Sequence, residues 1–412
     1  MPARATPSGG RFARRWLLAL AGAGAALGAL LVLETALRLA PGQAPALRDE
    51  AAAVGSWFEL SPSRGWVLRP GFTGALYGSR REVSGSGLLR QDETPGAGPR
   101  VVALGDSRTF GFGLPRESAW PERLQARLNG VEVVNLAVPG YSAVQCLAAF
   151  REQALALRPR LVLVAVGFND RRYVLAGEQD GPERFGRLAA AAPWLRFQHR
   201  LAGVRLAGLL QRIAPRDVDL LAVVPRVGSQ AYRRELATLA AEARRAGARA
   251  LFVQLGDNPR QLRVLAEGRA AARAGDWRRA ADRFAAAAHS ATAFSDLARL
   301  AWAEALARLS EHDRRRPVTR VPLRRSLHGG TPIRAESEYA RALRAAAREG
   351  GALRVDLRPA LAANAEVFTD YCHFDARGQE LVAERVYEAI RAHRLLADVG
   401  EPGVDPARAR GN

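Results

Sequence analysis

The chain has 412 residues, 48% hydrophobic and 25% charged, enough for one large or two ordinary globular domains with a sizeable core. Its formal net charge of +20 comes from 61 basic against 41 acidic residues, and every basic residue is arginine. The arginines are spread along the chain without aromatic interleaving or a nucleic-acid module, which argues against a nucleic-acid partner; attraction to an anionic membrane or polysaccharide surface fits the charge.

The first segment, residues 1–15, carries Arg11, Arg14 and Arg15, and no charge follows from Trp16 to Leu33. Those 18 residues are just long enough to span a bilayer and longer than the apolar region of a cleaved signal, about 7–15 residues. The expectation is a basic cytoplasmic tail (1–15) and a transmembrane anchor (16–39), with the remainder exported because the basic residues precede the span. "APA" at 44–46 leaves a cleaved signal peptide as the other reading. Residues 40–99 are rich in Pro, Gly and Ser, with scattered aromatics (Trp57, Phe58, Trp66, Phe72, Tyr77), and read as an extended juxtamembrane segment packed on the domain that follows.

Regular structure begins at Arg100. "VVAL" (101–104), "VEVVNLAV" (131–138) and "LVLVAVG" (161–167) are short, β-branched, nearly continuous apolar runs, separated by the helical patterns "SAWPERLQARLNG" and "AVQCLAAFREQALAL". Continuous apolar strands alternating with helices predict a parallel sheet covered on both faces. A fourth strand, "ARALFVQL" (248–255), follows a helix closed by Gly247, a residue suited to a helix C-terminus. A fifth, "GALRVDL" (351–357), follows a helical pattern over 336–348. A last helix with Leu381, Val382, Val386, Ala389 and Ile390 on one face starts after Asp375, a suitable N-cap. The fold class is α/β, a doubly wound domain over 100–397, with a flexible tail at 398–412.

One stretch breaks the alternation. "EGRAAARAGDWRRAADRFAAAAH" (267–289) places Gly275, Trp277, Ala280, Phe284 and Ala287 as in the helical hairpin of a tetratricopeptide repeat, within an insert expected over 258–312. A lone repeat makes no superhelical groove, so the insert is either a plain helical arm or a docking arm for a protein partner.

The chemistry gathers at one sheet edge. Ser107, in "GDS", follows the first strand at its carboxyl end, where open parallel sheets build their sites. The second strand runs into "VPGYS" with Gly140, the third into "GFND" with Asn169. Acyl transfer needs a nucleophile and N–H donors aimed at the developing oxyanion. A glycine N–H and an asparagine amide supply such donors. Of six histidines, His199, His289, His312 and His393 read as surface or packing residues, and His328 sits in a Gly-rich loop. His373, in "TDYCHFD", has Asp370 three residues before it, so the carboxylate can hold Nδ1–H while Nε2 takes a proton from a hydroxyl.

These four blocks, "GDS", the glycine of "VPGYS", "GFND" and "DYCH", resemble in order those of the SGNH/GDSL hydrolases. The resemblance implies a flavodoxin-like three-layer α/β/α sandwich and ester hydrolysis through an acyl-enzyme. Carried over by position, Ser107 is the nucleophile, His373 the base and acid, and Asp370 its orienter. The oxyanion hole is then Ser107 N–H, Gly140 N–H and the Asn169 side chain. No metal or cofactor is implied. "ETALR" (34–38) and "RPG" (69–71) are similar to those of membrane-anchored bacterial members, which implies the inner membrane with the catalytic domain on the periplasmic side. Two departures stand out. Arg108 follows the nucleophile and is expected to point to solvent; in the pocket it would favour an anionic substrate. The loop over 171–194, with the apolar stretch 206–210, is expected to line or cover the cleft. Cys146 and Cys372 are compatible with one disulfide near the site or with two buried thiols.

The substrate class that follows is an acyl ester of an envelope or extracellular molecule, such as an O-acetylated polysaccharide. An O-acyltransferase with the same triad, a lipase or lysophospholipase, and an inactive scaffold are the alternatives.

Overall fold

The computed structural model describes residues 16, 20–26, 28–31, 57–76, 79–89, 98–175, 177–190, 223–259, 267–268, 270–289 and 336–397. The chain divides into two compact units, Met1–Phe58 with Ala190–Val218, and Glu59–Ala189 with Asp219–Asn412. In the first, Trp16 and residues 20–26 and 28–31 are helical. Trp16, Leu20, Leu30 and Leu31 there are exposed. Among the described residues no helix is long and apolar enough to cross a membrane; residues 17–19, 27 and 32–39 of the expected anchor lie outside them.

From Phe58, the last residue of the first unit's N-terminal part, the chain runs into four short strands: β1 (Phe58–Ser61), β2 (Gly65–Leu68), β3 (Thr73–Leu76) and β4 (Ser79–Glu82), the last two paired antiparallel. The segment expected to be merely extended is thus partly two-stranded ribbon. The central strands follow: β5 (Arg100–Gly105), β6 (Glu132–Asn135) and β7 (Leu161–Ala165). A small antiparallel pair comes next, β8 (Tyr173–Leu175) with β9 (Val223–Pro225). Then come β10 (Arg249–Gln254) and β11 (Leu353–Asp356).

The five central strands form one parallel sheet in the order β11-β10-β7-β5-β6. Counted along the central strands alone this is the flavodoxin-like order, with the switch point beside β5. Burial on both faces explains their apolar sequences: β7 is buried at every position and β5 at all but its first. One face, from Val101, Ala103, Leu163 and Leu251, packs on Trp120 and Leu124 of helix α2 and Val382, Val386 and Ile390 of helix α9. Helix α1 (Ser107–Phe110) precedes α2 (Trp120–Gln125). Helices α3 (Ala143–Ala149), α5 (Ser229–Arg245) and α7 (Glu336–Gly350) supply buried Leu147, Leu236, Leu239 and Leu343. Between them in the chain come α4 (Pro182–Ala190) and α6 (Trp277–His289); α8 (Arg358–Ala363) and α9 (Ala376–Ala392) end the domain. Asp375 caps α9 through the Gly378 N–H, 2.9 Å away, and Gly247 takes the left-handed conformation, φ +80°, beyond α5.

In the insert, helical residues 270–273 turn at 274–275 into α6. The Asp276 side chain accepts from the Arg279 N–H at 3.0 Å, and Gly268 leaves room for the Phe284 ring. The following pattern, "DLARLAWAEALARL", lies outside the described residues, as do His199, His312, His328, residues 191–222 and the tail from 398.

Candidate active site

β5 ends at Gly105, where a Cβ would come within 2.2 Å of the Thr109 hydroxyl; glycine permits the sharp strand-to-helix turn. Asp106 stays extended and caps α1 by accepting the Arg108 N–H at 3.0 Å. Ser107 is therefore the first residue of a one-turn helix, half-buried at the carboxyl edge of the sheet.

His373 reaches this serine from the far end of the chain: its Nε2 lies 2.8 Å from Ser107 Oγ. On the other side of the ring Nδ1 lies 2.6 Å from Asp370 Oδ2. Asp370 Oδ1 accepts the backbone N–H groups of Cys372 and His373, both at 2.8 Å, so the carboxylate folds the loop that presents the ring. The loop is closed by a bridge between Phe368 and Phe374, whose rings lie 5.0 Å apart in the core. Asn258 clamps it from outside, donating its N–H to the Tyr371 carbonyl (2.9 Å) and its Nδ2 to the Asp370 carbonyl (2.8 Å). Phe112 stacks on the imidazole at 4.2 Å, and Tyr371 meets its edge at 5.8 Å. Burial alone would push the Asp370 carboxyl up; the His373 ring and the two backbone N–H donors outweigh it and hold the group below the usual carboxylate range.

The other expected residues gather beside this pair. Val138 N donates to Gly105 O at 3.2 Å, and Gly105 is in register with Ala165, so the chain leaves three adjacent strands side by side into Ser107, Gly140 and Asn169. Among the described residues the N–H groups of Ser107 and Gly140 have no protein acceptor. Asn169, buried, donates through Nδ2 to the Tyr141 carbonyl at 3.1 Å, which leaves its second N–H for a ligand.

One expectation is corrected, and one open alternative is decided. Arg108 does not point to solvent: at 2% exposure its guanidinium clasps Asp106, because a buried carboxylate at the cap demands a cation. Cys146 and Cys372 form no disulfide; both are free, buried thiols, and burial pushes both thiols up, away from reactivity. Asp370, Cys372 and His373 place ligating atoms within 4.8 Å of one another. Within this cluster His373 Nδ1 is already held by Asp370, and burial pushes the Cys372 thiol up, so it stays protonated. Phe112 and Asn258 were not visible as site residues in the sequence; neither sits in a motif, and only the fold brings them to the histidine loop.

Residues 103–294 match the model of the GDSL-like lipase/acylhydrolase family. The chain carries a domain of that family, and it is an ester-hydrolysing enzyme. The match contains Ser107, Gly140 and Asn169 and stops short of Asp370 and His373. Among solved structures, TesA is similar at 15% identity over 72% of this chain and 99% of that one, TM-score 0.38. The acetylxylan esterase Axe2 from Geobacillus stearothermophilus is similar at 15% identity, 72% and 95% coverage, TM-score 0.36. The psychrotrophic esterase EstA from Pseudoalteromonas sp. is similar at 12% identity, 72% and 98% coverage, TM-score 0.36. No curated protein sequence matches the chain.

Proposed function

We propose that Ser107, His373 and Asp370 act as a catalytic triad on a short-chain acyl ester, most simply an O-acetyl group on a carbohydrate of the cell envelope. The observation that carries the reading is the hydrogen-bonded line from Asp370 Oδ2 through His373 to Ser107 Oγ, 2.6 and 2.8 Å. His373 Nε2 takes the Ser107 proton as Oγ bonds to the acyl carbon. The oxyanion is held by the N–H groups of Ser107 and Gly140 and the Asn169 amide. His373 then gives that proton to the departing alkoxide, which leaves as the alcohol and the acyl-enzyme behind it. Water repeats the cycle: its proton goes to His373, its oxygen to the acyl carbon, and the serine is regenerated as the acid departs.

A carbohydrate is favoured by the half-buried aromatics Phe112, Tyr371 and Trp66 around this edge, which offer large, rigid, amphipathic contact surfaces. Residues 16–39 serve as a membrane anchor in this reading, supported by the uncharged run and the exposed Trp16, Leu20, Leu30 and Leu31. The catalytic domain then faces the periplasm, and the helical insert offers a surface for a protein partner. Hydrolysis of p-nitrophenyl esters of increasing chain length by wild type and Ser107→Ala tests it. Serine-dependent turnover that falls steeply beyond butyryl supports a small-acyl esterase. Turnover that rises with chain length moves the substrate to lipids, and no serine-dependent turnover overturns the triad.

A further inference from the structure

Three consecutive carbonyls, those of Pro139, Gly140 and Tyr141, are each held by a side chain from a different part of the fold. Trp66 of β2 donates its indole N–H to Pro139 O at 3.1 Å. Arg226, just past β9, donates Nη1 to Gly140 O at 2.7 Å. Asn169 donates to Tyr141 O at 3.1 Å. The first two bracket Gly140, whose N–H has no protein acceptor among the described residues. Among the described residues no peptide bond is cis, so the Gly140 N–H points away from the carbonyl that Trp66 holds, in the same rigid plane. Gly140 has φ +84°, and a Cβ on it would come within 3.0 Å of Trp66 Cζ2; glycine and tryptophan are fitted to one another.

The clamp is itself anchored. The Arg226 guanidinium lies 5.2 Å over the Trp66 ring and reaches Asp180 Oδ2 at 2.7 Å and Gln145 Oε1 at 2.6 Å. The Tyr141 hydroxyl donates back to the Trp66 carbonyl at 2.8 Å.

We propose that Trp66 and Arg226 are positioning residues: Trp66 holds the carbonyl of the Pro139–Gly140 peptide and Arg226 that of the next, Gly140–Tyr141, and together they aim the Gly140 N–H as an oxyanion donor. The inference rests on the triad reading above. A donor on the carbonyl also polarises the amide it belongs to, which strengthens the N–H at its other end. The segment before the first central strand is thereby part of the catalytic apparatus, although it lies outside the family match.

The test uses the full-length chain and p-nitrophenyl acetate. Trp66→Phe keeps a ring and removes the indole N–H. Losing an oxyanion donor outright costs about 10²–10³ in kcat, and a misaimed one less, so a fall of about tenfold or more is expected. KM should stay within about twofold, and the pH dependence of kcat/KM, set by the untouched His373–Asp370 pair, should not move. Arg226→Lys, which keeps a cation against Asp180, gives a fall in the same sense. Because Trp66→Phe also disturbs packing, benzothienylalanine at position 66 alone, with the bicyclic shape and no N–H, supplies the second variant and shows the same fall. Wild-type kcat in either position-66 variant overturns the proposal while the triad stands. A wild-type chain without Ser107-dependent hydrolysis overturns the triad, and this inference with it.

Discussion

Arg108 Nη2 lies 3.0 Å from Asp106 Oδ2 and Arg108 Nε 3.2 Å from Asp106 Oδ1, so the two residues flanking Ser107 hold each other. Both are nearly sealed from solvent. The pair and the Asp106 cap fix the backbone on either side of the nucleophile. Breaking a buried ion pair by removing one partner strands a charge, at about 3–5 kcal/mol. Asp106→Asn, which leaves Arg108 buried without its paired carboxylate, is therefore expected to lower the unfolding free energy by that order. Asp106→Asn with Arg108→Met should recover a large part of it. Chemical denaturation of the three variants checks this; equal stability of Asp106→Asn and wild type would deny the pair its role.

Asp370→Asn preserves the size of the side chain and can still accept from the Cys372 and His373 N–H groups, yet it presents either an amide donor or a neutral carbonyl to His373 Nδ1. An amide donor there favours the wrong tautomer and leaves Nε2 protonated, unable to take the Ser107 proton. A loss of about 10³–10⁴ in kcat with little change in melting temperature is expected, by analogy with triads of this kind. Activity within tenfold of wild type would mean that His373 is oriented by other contacts.

Phe112 is the other support of the imidazole, stacked at 4.2 Å and 17°. Such ring pairs contribute about 0.5–1.5 kcal/mol beyond area burial. Phe112→Leu should thus lower kcat/KM by roughly two- to tenfold, from the same energies, and leave Ser107 reactive; steady-state kinetics decide. No change would assign the ring to substrate contact alone.

Two carboxyls behave oppositely to Asp370. Burial pushes Glu122 up to about 7 and Asp170 up to about 7. Asp170 Oδ2 is buried without a hydrogen-bond partner, so ionisation there is poorly met. The folded state binds these protons more tightly than the unfolded chain does, so their stabilisation is full below the unfolded values near pH 4. It falls as pH rises through about 7. Melting temperature should decline between about pH 4 and pH 7, and Glu122→Gln with Asp170→Asn should flatten the slope. A flat profile in the wild type would contradict the burial of these groups as acids.

The sheet was legible because the middles of β5, β7 and β10 are buried on both faces and so are continuously apolar. The proximity of Asp370, His373 and Ser107 was legible because Asp370 and His373 are close in sequence and their loop precedes a capped helix. Arg108 was misread because solvent exposure is the default for arginine, and nothing in "GDSRTF" says that the aspartate two residues back is buried with it. Trp66, Phe112, Asn258 and Arg226 were illegible as site residues for a simpler reason. Each acts through tertiary contact, and the hydrogen bonds that define them cross 73 to 112 residues for Trp66, Asn258 and Arg226. The two cysteines show the same limit: proximity to a site in sequence does not give the geometry of a disulfide.

The bond from His373 to Ser107 spans 266 residues of chain, and nearly the whole domain is synthesised between its two ends. A ribosome-bound chain that has released Ser107, Gly140 and Asn169 still lacks His373, whatever it has folded. The contact is complete only with β11 paired to β10 and the loop that follows β11 and α8 placing His373 against Ser107. On the proposed triad reading, a chain cut short before residue 370 therefore carries Ser107 without the partner assigned to take its proton.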